Sequence, residues 1–139
     1  MISIPDLKAI NDRYEMFTNC TDLREADGDF TFSAKDNLTS YDFETCAGSR
    51  ILKGYRPPFD ATPIRKMREA GGFLAGKTNM DEFGFGTFSA NSGFGIPKNP
   101  YDLNRSCGGS SGGAACAAAV LEGHVALGVS TGGSIVCPA

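Results

Sequence analysis

The sequence predicts an α/β fold. Three observations carry that reading. Helical and extended patterns alternate along the chain, and an almost pure alanine stretch sits between two glycine-serine clusters. With 41% hydrophobic and 21% charged residues, the 139-residue chain also has ordinary globular content and enough length to bury one core. Glycine is the compositional outlier: its 18 residues are roughly twice the usual share near 7%. They concentrate between residues 71 and 133, which points to special backbone geometry there.

Leu7, Ile10, Tyr14 and Phe17 recur at three- and four-residue spacing and predict an amphipathic helix over 6–17. Residues 30–34 alternate apolar and small groups, a short strand leading to Lys35. A second helix is expected over 60–70. Asp60 or Thr62 caps it, Pro63 suits its first turn, Ile64 and Met67 share a face, and Gly71 ends it. Phe73-Leu74-Ala75 then reads as a buried strand. From 79 to 105 Gly84, Gly86, Gly93, Gly95, Pro97 and Pro100 punctuate a long loop. Phe83, Phe85, Phe88 and Phe94 lie within it, either walling a pocket or anchoring a surface loop. Ala114 to Leu121 predicts a small-residue helix packed closely on all sides. Val125 to Val129 predicts a buried strand that delivers Thr131-Gly132-Gly133-Ser134 at its end. No internal repeat or linker interrupts the chain, so 1–139 forms part of a single domain. The ending at Cys137-Pro138-Ala139, with no closing helix, reads as a cut rather than a finish.

A net charge of −3 and a pI near 5.1 offer no electrostatic footprint for nucleic acid, so any RNA is expected on another polypeptide. No apolar run approaches the roughly 20 residues of a membrane span, and no signal-peptide pattern opens the chain. Cys20, Cys46, Cys107, Cys116 and Cys137 are odd in number and lack CxxC or Cys/His ligand spacing, which argues against a metal site. They read as buried, reduced thiols of a cytoplasmic protein. With His124 the sole histidine, nothing in the sequence supports an activated thiol.

Two motifs compete for a chemical reading. Gly71 to Thr78 satisfies GxxxxGK[ST] letter for letter, but that loop needs a strand before it and a helix after it. Here a helix precedes it and an apolar strand fills its middle, so nucleotide binding is not expected. The run Gly108-Gly109-Ser110-Ser111-Gly112-Gly113 has more readings. A flexible linker is disfavoured because a dense alanine helix follows at once. An anion-binding helix N-terminus fits. A GxSxG nucleophile elbow on Ser110 also matches, though only His124 could serve it. The remaining reading takes Lys35 as a base acting through one serine on another. A free lysine is protonated at pH 7, with a pKa near 10.4, but burial can lower that by several units. Asp36 would oppose the shift, so it is expected to turn away from Lys35. Taken alone, Lys35 reads as a surface lysine.

The chain resembles the amidase signature family from about Phe30 to Ala139. The residues that carry the likeness are Lys35-Asp36-Asn37, Gly76 to Phe83, Asn99-Pro100, Gly108 to Gly113 and Thr131 to Ile135, in the family's order. The 75 positions from Lys35 to Ser110 and the 24 from Ser110 to Ser134 also match. The resemblance implies a mixed sheet flanked by helices, present here as an incomplete N-terminal part of the amidase domain. It implies Ser134 as the nucleophile, Ser110 as a bridging serine in a cis peptide, and Lys35 as the buried base. Backbone amides of Thr131, Gly132, Gly133 and Ser134 would form the oxyanion hole, and Ser111 would orient its neighbours.

Thr78 to Gly84 is most similar to the glutamine-hydrolysing subunits of tRNA-dependent amidotransferases, and Phe85 and Gly86 align with a glutamine-pocket loop. That likeness implies glutamine as the substrate and no cofactor on this chain. ATP and magnesium would be used by a kinase and tRNA-binding partner, which also holds the tRNA, and a small third subunit would complete the complex. Two positions depart from the family pattern: Ser130 and Val136 stand where Asp and Arg are usual. A free-standing amidase on other carboxamides, or an inactive fragment, stays an alternative.

Overall fold

The computed structural model describes residues 4–18, 23 and 28–139. Cys20 lies outside them. A three-stranded parallel sheet forms the centre, in the order β2-β1-β3, with β1 spanning Phe30–Lys35, β2 Gly72–Thr78 and β3 His124–Leu127. Among the described residues antiparallel pairing is confined to isolated bridges, one of them between Phe17 and Thr78. Helix α2 (Thr62–Glu69) covers one face, while α1 (Ile4–Tyr14) and α3 (Gly112–Val120) cover the other.

Period-two alternation along β1 sorts its side chains. Phe32 and Ala34 enter the α2-side core with Phe43, Ile64 and Leu74. Thr31, Ser33 and Lys35 face the α1/α3 side, where Leu7, Met16, Phe17, Cys116, Ala117 and Leu121 pack. On that face the His124 ring bridges two hydroxyls, Nδ1 to Thr31 at 3.0 Å and Nε2 to Ser33 at 2.9 Å. Burial pushes its pKa down to about 4, so it stays neutral at physiological pH.

Strand β2 carries an irregularity. Phe32 pairs with Leu74 but Ser33 pairs with Gly76, so Ala75 is one residue extra. This bulge reverses the alternation beyond it. Lys77 consequently registers with Ala34 and points to the α2 side, where its Nζ lies 3.4 Å from Asp36 and donates to Thr45 Oγ1 at 3.2 Å. The apparent phosphate loop is therefore a strand whose lysine is committed to an internal ion pair. Asp36 also accepts the N–H groups of Cys46 and Gly48. Burial pushes its carboxyl up, and Lys77 opposes that. Lys77→Ala leaves a buried carboxylate without its cation, and urea unfolding is expected to show a loss of about 3–5 kcal/mol. A change below about 1 kcal/mol, the scale of a surface pair, would show that the pair is not buried in solution.

Several boundaries differ from expectation. Helix α1 stops at Tyr14, because Glu15 turns to φ +51° and the Asn11 side chain accepts the N–H of Phe17 instead. No side chain caps α2: its cap residue is Ala61, while Asp60 accepts the Tyr41 N–H and pairs with Arg68. Helix α3 is not packed on all sides, since Ala118 and Ala119 face outward. Strand β3 is not buried either. It is one of the two edge strands of the sheet, and Val125 is 42% exposed. The thiols of Cys46, Cys107 and Cys116 are buried and reduced as expected, but Cys137 is exposed.

Candidate active site

Lys35 ends the central strand, at the carboxyl edge where parallel sheets place their chemistry. Its Nζ is 2.6 Å from Ser110 Oγ and donates to the Val129 carbonyl at 3.1 Å. Lys35 and Ser110 are both 1% exposed. Burial lowers the lysine pKa from 10.5 to about 8, against an opposing pull from the Asp81 carboxylate. Asp36 points to the opposite face of the strand, toward Lys77. Lys35 is thus a dry amine within proton-transfer reach of one hydroxyl.

Ser110 follows a cis peptide from Gly109 and precedes α3. The helix can start this close to β2 only because of its glycines. A β-carbon on Gly113 would come within 2.5 Å of the Asn79 nitrogen and the Met16 carbonyl. Ser111 then stitches the two glycine-serine clusters together. Its N–H donates to the Ser134 carbonyl at 3.1 Å and its hydroxyl to the Val129 carbonyl at 3.1 Å.

Ser134 is half-buried in the loop that follows β3. Its hydroxyl makes no hydrogen bond among the described residues, so the structure joins Lys35 to Ser110 and brings in Ser134 through its backbone. Among the described residues, none of the amides of Thr131, Gly132, Gly133 and Ser134 donates to a backbone carbonyl. Thr131 and Gly132 are exposed, and Gly133 takes φ +118°. Phe85 is 82% exposed and Gly86 is exposed beside it; Phe83 and Phe88 also face outward, while Phe94 is buried. Among the four phenylalanines the loop-anchor reading therefore holds for Phe94 alone. Two hollows of about 270 and 420 Å³ flank α3, and neither is lined by Lys35, Ser110 or Ser134.

Sequence reasoning missed two supports. The Val129 carbonyl is backbone and leaves no side-chain signal. Ser89 is fully buried and accepts the Gly112 N–H at 2.9 Å; in the sequence it looks like any loop serine.

Residues 31–139 match the family described as Amidase. The chain belongs to the amidase family. Its relatives include the glutamyl-tRNA(Gln) amidotransferase A subunit of Acidothermus cellulolyticus, 52% identical over 76% of this chain and 21% of that protein. The protein of the same name from Natronomonas pharaonis is 48% identical over 86% of this chain and 28% of its own length. Among solved amidase-family structures, the corresponding Thermotoga maritima protein superimposes with a TM-score of 0.82 at 38% identity, covering 93% of this chain and 30% of that one. Peptide amidase from Stenotrophomonas maltophilia gives 0.68 at 39% identity, over 78% and 23%. The chain thus spans between a fifth and a third of these relatives. Among the described residues no helix is long and apolar enough to cross a membrane, and no His/Cys/Asp/Glu group could hold a metal ion.

Proposed function

We propose that this chain carries the chemical core of a glutamine amidohydrolase that supplies ammonia to a tRNA-dependent amidotransferase, allowing Gln-tRNA(Gln) to form from Glu-tRNA(Gln). The observation that carries the reading is the 2.6 Å contact between Ser110 and a buried Lys35 whose pKa is lowered to about 8. The likeness to amidotransferase A subunits at about half identity supports the substrate.

In the proposed reaction the Ser134 hydroxyl attacks the carboxamide carbon of glutamine. Its proton passes to Ser110, whose own proton passes to Lys35. The carbonyl π pair moves to oxygen, and the amides of Thr131, Gly132, Gly133 and Ser134 stabilise that charge. As the tetrahedral adduct collapses, the C–N bond breaks and the proton returns by the same row to the leaving nitrogen, releasing ammonia and an acyl-Ser134 ester. Water then cleaves the ester to glutamate. Phe85 and Gly86 border the glutamine side chain in this reading. ATP, magnesium and tRNA belong to the kinase and tRNA-binding partner, with the small subunit completing the assembly. Plant relatives named as chloroplastic/mitochondrial show that the likeness alone does not assign a compartment.

A free-standing amidase is the second reading, favoured by the match to peptide amidase. Ammonia release separates the two. With glutamine as substrate, release that rises on adding partner subunits supports the amidotransferase. Release from peptide or other amides, indifferent to partners, supports the free-standing enzyme. No release from any carboxamide would overturn both.

A further inference from the structure

Asp81 takes no part in the reaction above, yet three parts of the site meet on it. The side chain is 1% exposed, and a buried carboxylate must find donors. It finds them in the phenylalanine-rich loop: Oδ2 accepts the Ser89 N–H at 2.9 Å and Oδ1 the Asn91 N–H at 3.0 Å. From the backbone, the Asp81 N–H donates to the Ser110 carbonyl at 3.3 Å. Gly86 and Gly109 lie so close that a β-carbon on either would collide with the Asp81 carboxylate. Ser89, whose amide Asp81 holds, accepts the N–H of Gly112 in turn. The loop, the Gly109–Ser110 peptide and the start of α3 therefore take their register from one carboxylate.

We propose that Asp81 is a positioning residue: by clamping the 83–91 loop against the Gly109–Ser110 peptide it fixes the hydroxyl that Lys35 addresses and sets the charge felt at that lysine. The proposal rests on the reading of Lys35, Ser110 and Ser134 given above. The charge has a sign. Asp81 is the anion that raises the proton affinity of Lys35 against burial. Asp36, next along β1, is turned to Lys77 on the far face. His124, on the adjoining strand, is neutral and engaged with Thr31 and Ser33.

The test is Asp81→Asn in the full-length protein. Asparagine keeps the volume but can accept only one of the two N–H groups, since its nitrogen is a donor. Labelling of Ser134 by a glutamine-analogue electrophile, followed against pH, should fall about 100-fold at its plateau, the usual scale for a small misplacement of reacting groups. The midpoint of its rising limb should also move to lower pH than in the wild type. A fall with the midpoint unmoved would mean Asp81 only holds the loop, and unchanged labelling would mean it does not even do that; either overturns the proposal. NMR titration of the Lys35 side-chain carbons reads the same shift without turnover. If the wild type neither labels nor hydrolyses glutamine, the functional reading fails while this titration still judges Asp81. Should the variant not fold, wild-type amide exchange decides. Ser89 and Asn91 protected like β1 supports the clamp, and exchange at open-loop rates overturns it.

Discussion

Ser134→Ala abolishes acyl-enzyme formation. The substitution removes the only atom proposed to bond the substrate carbon and leaves Lys35 and Ser110 in contact, since their 2.6 Å hydrogen bond does not involve the Ser134 side chain. Mass spectrometry after exposure to a glutamine-analogue electrophile should find one adduct on Ser134 in the wild type and none in the variant. Turnover should fall by roughly six orders of magnitude, the scale seen when a serine nucleophile is removed elsewhere. An adduct on Ser111 or Cys107 with Ser134 untouched would reassign the chemistry. Ser111 is the sharper control, because its hydroxyl is already engaged by Val129 and its amide by Ser134.

Lys35→Ala comes second in expected effect, lowering the acylation rate by about 10³-fold or more, toward the upper end of what a positioned base contributes. Lys35→Met keeps more of the buried volume while deleting the amine, so a similar loss in both variants separates chemistry from packing. The pH dependence follows from the lowered pKa. Below about 8 the ammonium predominates and cannot accept the Ser110 proton. The wild-type rate should therefore rise roughly tenfold per unit toward that value and level above it. Both lysine variants should lose that limb. A wild-type profile flat from pH 6 to 9, or full activity in Lys35→Met, would remove lysine from the reaction.

What the residues alone offered of this site was its two glycine-serine clusters, each of which is sequence-local. The assignment of Lys35, Ser110 and Ser134 came with the family resemblance, whose motif order and separations these positions match, since Lys35 by itself reads as a surface lysine. The requirement that Lys35 lose its proton led to the expectation that Asp36 turns away, and the structure does place its carboxylate toward Lys77 on the far face. What failed depended on contacts outside the helical and strand periods. The end of α1 depends on Asn11 reaching the Phe17 amide, and the edge position of β3 depends on sheet order, which hydrophobicity alone does not encode. Asp81 was visible as a letter of a motif, but its contacts lie 8 and 10 residues downstream and across the fold at Gly109, beyond any periodic signal.

The extra residue in β2 divides labour between two amines. Were the strand regular from Leu74 onward, counting by twos would seat the Lys77 ammonium beside Lys35, and each cation would drive protons off the other. With Ala75 inserted, one amine is neutralised and inert within the hydrophobic layer under α2, and the other is free to titrate at the reacting edge. A single backbone irregularity thus keeps scaffold electrostatics and reaction electrostatics from contaminating each other.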